Sequence, residues 1–174
     1  MRNPHWTFFS QITLGEVSSF LAWLDRQPAG KSLIDNADSL CPFERERLRA
    51  MLNVLSCLGF VFEHPDCLKI RHEGSTFVQA DLVSKMSILR AKLVDLRPTR
   101  EIMTRLENSG NGRLNKNAIV GYFYENFQDP HISDLQGFLD WARMCELFYY
   151  DKSRDEIFHI HGNFPKSASQ TPTN

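Results

Sequence analysis

The sequence has no apolar run near the roughly 18 residues that suggest a membrane-spanning helix. Its first residues, MRNPHWTFFSQ, carry no apolar block of the kind that marks a secretion signal. It has no surplus of positive charge either. In 174 residues, 20 Lys and Arg stand against 21 Asp and Glu, which argues against a protein built mainly to neutralise phosphates. Cysteine is sparse: Cys41, Cys57, Cys67 and Cys145 are irregularly spaced and include no CxxC pair. That pattern argues against a disulfide framework and points to structural thiols in a cytoplasmic protein. Tyr and Trp are few, 4 and 3, so the 13 Phe carry most of the aromatic content. What is present in quantity is apolar: 42 % of the chain, enough for a packed core in one medium domain or two small ones.

Signatures of catalysis are also missing. Ala29-Gly-Lys-Ser32 ends like a phosphate-binding loop, but the Gly required four residues before the Gly-Lys pair is replaced by Asp25, inside a helical pattern. No Ser sits in a G-x-S-x-G elbow, and no acid–base pair stands out among the scattered carboxylates. His159 and His161 alternate along an expected strand and, with His64 or His72, could offer a surface metal site. A second ligand cluster at metal spacing is lacking, so chance explains them better. No catalytic, cofactor-binding or metal-ligating residue is assigned, and the chain is expected not to be an enzyme.

What is there reads as two copies of one pattern. In the first, Thr13-Leu-Gly-Glu16 is a capping box, and Leu14, Val17, Leu21 and Leu24 recur at helical spacing until Pro28-Ala-Gly30. A short helix from about Lys31 to Ser39 and a longer one after Pro42, through Leu48, Met51, Leu52 and Leu55, follow. Gly59 stops the latter. Phe60-Val-Phe62, a Pro-Asp turn and Leu68-Lys-Ile70 then predict a hairpin. In the second copy, helices are expected from near Pro98 to Asn108, over Ala118–Phe127, and from a capping box at Ser133-Asp-Leu-Gln136 through Leu139 and Trp141. A second hairpin flanks Asp151–Asp155. Leu52–Gly74 lays onto Leu139–Gly162 with one extra residue in the second turn. Three helices followed by a hairpin is the order of a winged helix-turn-helix. The expected fold is mainly α with small β-hairpins (α+β), as tandem winged helix-turn-helix modules joined by a long helix.

The domain boundaries that follow are an N-terminal extension over 1–12, a first module over 13–74, a linker helix over 75–97, a second module over 98–162 and a disordered tail over 163–174. Phe60, Phe62, Phe148 and Phe158 on the wings, and Phe20, Phe43, Phe123, Phe127 and Phe138 on helices, are expected to fill two short cores. Along the linker, Leu82, Met86, Leu89, Leu93 and Leu96 step by four and three, a seam of two heptads that can pack on the chain's own modules or on a second copy. Charge divides by region. Residues 13–74 hold 7 basic and 9 acidic side chains, residues 75–109 hold 6 and 4, and residues 110–162 hold 5 and 8. The positive segment is therefore the linker, with Lys85, Arg90, Lys92 and Arg97. These and the apolar residues Leu82, Met86, Leu89 and Leu93 form the candidate interaction surface. A DNA-reading alternative would use Arg45, Arg49 and Asn53 of the first module's third helix. Glu44 and Glu46 dilute that helix, so charge argues against DNA.

A more specific signal lies in several short runs: Leu58-Gly-Phe60; Gly74-x-x-Phe77-x-x-Ala80-Asp81; Gly112-Arg-Leu114; Leu135-x-x-x-Leu139-Asp-Trp141-Ala-Arg143; and Glu146-Leu-Phe148-x-Tyr150-Asp151. With them the chain resembles the AAA-associated C-terminal domain family, appended to ATPase subunits of nitrate/sulfonate/taurine-type ABC transporters and also found free-standing in prokaryotes. The resemblance is carried by about 60–160 and extends more loosely to residue 13. It implies a regulatory or adaptor role without catalysis or cofactor, exercised through protein–protein contact with an ABC transporter ATPase subunit or with a second copy as a homodimer. Membrane insertion is not expected. The chain itself would be either a free-standing relative or a domain cut from a longer ATPase.

Overall fold

Helix α1, Leu14–Asp25, begins where the sequence places its cap: the Thr13 side chain accepts from the Glu16 amide at 3.3 Å, and the Glu16 carboxylate accepts from the Thr13 amide at 2.8 Å. The computed structural model describes residues 9, 12–28, 31–33, 44–64, 67–126 and 132–159. After α1 come strand β1 (Lys31–Leu33), helix α2 (Arg45–Cys57) and strands β2 (Val61–His64) and β3 (Cys67–Ile70). Helices α3 (His72–Gln79) and α4 (Leu82–Val94) lead to α5 (Arg97–Asn108), strand β4 (Arg113–Asn115), α6 (Lys116–Asn126), α7 (Ile132–Met144) and strands β5 (Tyr149–Asp151) and β6 (Glu156–Phe158). The fold is mainly helical with two small antiparallel sheets, as expected for α+β.

The two sheets have one topology. Each has three strands with the first paired to the third and the third to the second: β1-β3-β2 and β4-β6-β5. Helices α2 and α7 also end alike. The Gly59 amide bonds the Ser56 carbonyl at 3.1 Å and the Phe60 amide that of Leu55 at 2.9 Å; Glu146 reaches Arg143 at 3.0 Å and Leu147 reaches Ala142 at 2.9 Å. Both are Schellman closures, which need one residue in the left-handed region. Gly59 supplies it at φ 72°, and Glu146 does so at φ 55° despite its Cβ. The turn delivers each chain into its hairpin.

Several expectations are corrected. The single linker helix expected over 75–97 is interrupted, because Ala80 is extended and the Asp81 side chain caps a new helix by accepting from the Ser84 amide at 2.7 Å. Helix α3 begins earlier, at His72, and lies tight on the first hairpin. A Cβ on Gly74 would meet the Phe60 carbonyl oxygen at 2.5 Å. The helix expected from Lys31 opens instead as β1, whose residues pair with Lys69, Leu68 and Cys67; residues 34–39 lie outside the described ones. Strand β4 stands between two expected helices, where no element was expected. Helix α7 already runs at Ile132, so Ser133 lies within its first turn rather than capping it. The side chains of Ser133 and Asp134 are outside the described ones, as are Phe43 and Phe127 and the Phe123 side chain.

The core is continuous. Val17, Phe20 and Leu21 of α1, Met51 and Leu55 of α2, Leu89 and Leu93 of α4, Ile102 and Leu106 of α5, and Phe138 and Leu139 of α7 belong to one buried cluster. Phe60 and Phe148 fill it from the hairpins. Phe62 does not: it is 48 % exposed, because β2 turns it to the face opposite Val61. Ahead of α1, Phe9 and Ile12 reach α7. Phe9 meets the Trp141 ring edge-on at 5.4 Å, and the Trp141 indole N–H donates to the Ile12 carbonyl at 3.1 Å.

Trp141→Ala removes a buried ring and orphans the Ile12 carbonyl, so denaturant unfolding should show a loss of roughly 3–5 kcal/mol. Arg47, which bonds the Glu16 carboxylate, holds its pKa down to about 2 from the ordinary 4.5. A carboxyl depressed in the fold gives stability that is complete above about pH 4.5 and is lost as pH falls toward 2. Melting temperatures from pH 5 to 2.5 should therefore fall less steeply in Glu16→Gln than in the parent chain.

Candidate interaction surface

Helix α4 packs against α3, α5 and α7, so it lies between the two halves of the chain. Its seven-residue apolar pattern is divided by depth. Leu89 and Leu93 are fully buried, Met86 is half-buried, and Leu82 is 70 % exposed. The expected seam thus does not form one face for a partner: its C-terminal half is consumed by the chain's own core. At the N-terminal end, Val83 joins Leu82, 80 % exposed and absent from the heptad positions. Two adjacent large apolar side chains in the first turn of a helix, with Met86 one turn further, form an uncovered patch among the described residues.

The basic side chains of the candidate surface are largely tied into the molecule. Lys85 lies over the Phe77 ring at 5.6 Å, Lys92 faces the Glu73 carboxylate at 3.6 Å, and Arg90 approaches Glu146 at 4.0 Å. Arg97 opens α5 and is exposed. The Arg90–Glu146 pair joins α4 to the left-handed turn after α7, although a pair this exposed contributes little energy. The Asp81 carboxyl sits below the usual carboxylate range because it accepts the Ser84 amide. Its charge at the helix N-terminus favours the start of α4.

The DNA-reading residues lie on α2. Arg45 and Arg49 are exposed and Asn53 is half-buried. Between the two arginines, Arg47 is held by Glu16, and Glu44 and Glu46 are exposed beside them. Such a helix presents cations and carboxylates together. Elsewhere, among the described residues no three His, Cys, Asp or Glu side chains gather as a metal site. His161 is outside the described residues. Lys31 and Ser32 of the phosphate-loop lookalike belong to β1 and not to a loop before a helix. Burial pushes the Cys57 thiol up to about 11 and that of Cys145 to about 12, so neither is a thiolate nucleophile at neutral pH.

The division of α4 into core and surface predicts contrasting substitutions. Leu89→Ala should cost roughly 2–5 kcal/mol in denaturant unfolding, as a buried leucine does. Leu82→Ser with Val83→Ser should stay within about 0.5 kcal/mol of the parent, as exposed positions do.

The C-terminal AAA-associated domain matches residues 38–151. The match runs from α2 to β5 and leaves α1, β1 and β6 outside it. No curated protein and no solved structure gives a significant match to the chain. Two thirds of the sequence thus fits one family, and the motifs noted above, from Leu58-Gly-Phe60 through Tyr150-Asp151, fall inside the matched span. The chain belongs to the family of C-terminal AAA-associated domains.

Proposed function

We propose that this chain is a non-catalytic regulatory or adaptor module of two winged-helix units, and that it docks on a partner protein through the N-terminal turns of α4. The scaffold part of the reading is supported by connectivity. The order helix, strand, helix, helix, strand, strand runs complete from α5 to β6, and the sheet order is the same in the first half. The second helix of the first unit would fall within 34–43, outside the described residues.

The observation that carries docking is the pair Leu82 and Val83. Most of the apolar side chains of the helical core are buried, yet these two stand free at the start of a helix whose later turns are locked in place. A rigid helix end with uncovered apolar groups binds a complementary surface at small entropic cost. Among the described residues no helix is long and apolar enough to cross a membrane. The resemblance to domains appended to nitrate/sulfonate-type ABC transporter ATPases supports an ATPase subunit of that kind as the partner. Sequence-specific DNA binding has weaker support, because α2 mixes Arg45 and Arg49 with Glu44 and Glu46.

The test is co-purification of the tagged chain with an ATPase subunit of such a transporter, using the parent and Leu82→Glu/Val83→Glu. Capture by the parent and its loss in the variant, with melting temperatures alike, is the expected result. Equal capture by both would place the contact elsewhere. A shift of the parent to dimer mass that the same variant reverses would make a second copy the occupant.

A further inference from the structure

The first sheet carries a second surface, on the face turned away from the core. Alternation along β3 sets Leu68 and Ile70 inward and Lys69 outward. Lys69 is in register with Lys31 of β1 on one side and Phe62 of β2 on the other. Residues directly opposite across a sheet share a face, so Lys31, Lys69 and Phe62 form one row. Arg71, the next residue after β3, lies over the Phe62 ring at 5.7 Å and extends the row. All four are exposed, Phe62 to 48 %. His64 lies on the same face. Among the described strand residues none on this face is acidic, because Glu63 pairs in register with Leu68 in the alternate row. Pro65 and Asp66 are outside the described residues.

The second sheet has the corresponding row and shows what is different. Arg113, Phe158 and Tyr149 are in register across β4, β6 and β5, with Arg143 over Tyr149 at 5.2 Å. There the cations are answered internally. Arg113 reaches Glu156 at 3.3 Å, Arg154 faces Asp151 at 3.8 Å, and Lys152 faces Asp140 at 3.9 Å. The first sheet has no such carboxylates on its outward face among the described residues. Glu73 of α3 acts on Arg71 from beside the sheet, while Lys31 and Lys69 pair in register with each other and with Phe62 and face no carboxylate among the described strand residues.

We infer that the outward face of the first sheet, centred on Phe62 and Lys69 and flanked by Lys31 and Arg71, is a docking site for a short acidic segment of a partner protein that carries an aromatic or large apolar side chain. Charge complementarity selects an anionic occupant. The exposed ring with a cation over it selects one with an apolar group to lay on that ring. A nucleic acid fits less well. Three cations give about three phosphate contacts, an affinity that falls steeply with salt. This surface is distinct from the α4 patch and does not depend on it.

The test is fluorescence anisotropy of a labelled synthetic peptide repeating Glu-Phe-Glu, titrated with the full chain at moderate salt, beside a single-stranded oligothymidine of similar length. The peptide should bind. Lys69→Glu and Phe62→Ser should each weaken it about fivefold or more, since both remove a central contact. Lys152→Glu on the other sheet should not change it. Melting temperatures should be alike, because all these side chains are exposed. Leu82→Glu/Val83→Glu should bind the peptide as the parent does, so a failure here and a failure of the α4 contact are told apart. No binding of the peptide, equal binding by Lys69→Glu and Phe62→Ser, or tighter binding of the oligothymidine would each overturn the inference.

Discussion

Burial of Leu89 and Leu93 is the constraint on which the rest of the molecule depends. A small unit of helices with a three-stranded sheet has little apolar surface to hide, and burial fraction falls with size. Placing one helix between two such units lets both share its side chains. Helix α4 does this by packing on α3, α5 and α7, and the cluster it completes runs from α1 to α7. A second tie, from the Trp141 indole to the Ile12 carbonyl, brings the start of the chain onto the far unit. With both ties in place the modules are not beads on a string.

That sharing decides what is left for partners. Once Leu89 and Leu93 are committed inward, the heptad cannot zip onto another helix along its length, and only the first turn of α4 stays uncovered. The cations along α4 are drawn inward as well, toward Phe77, Glu73 and Glu146. Unanswered positive charge appears instead on the first sheet, where the register brings Lys31 and Lys69 together beside Phe62. The anionic contact and the apolar contact therefore lie on different elements, which suits a module that joins two partners.

Much of this was legible in the sequence where the cause is local. Thr13 and Glu16 announce α1 because a capping box involves residues three apart. Gly59 announces the end of α2 because a left-handed turn favours glycine. The hairpins follow from apolar runs around turn residues. The misses are of non-local cause. Strands β1 and β4, Lys-Ser-Leu and Arg-Leu-Asn, have no strand pattern of their own; they are strands because β3 and β6 offer free edges. A heptad reports that a helix has an apolar stripe and not what covers it, so Leu82 and Leu89 looked equivalent. Val83 falls off the stripe, so the heptad does not mark it. Phe62 looked like core because phenylalanine usually is, and its exposure is a consequence of register. Glu146 in a left-handed turn could not be read from residue type at all. It was visible only by laying Cys145-Glu146-Leu147 on Leu58-Gly59-Phe60.

Two halves that share one core through α4 should unfold as one. Native-state hydrogen exchange across a denaturant series measures it most directly, by comparing the opening free energies of core amides in α2 with those in α7. The most protected amides of both helices, and those around Leu89 and Leu93, should converge on one global value. Separate values for α2 and α7, with α4 following only one of them, would contradict it.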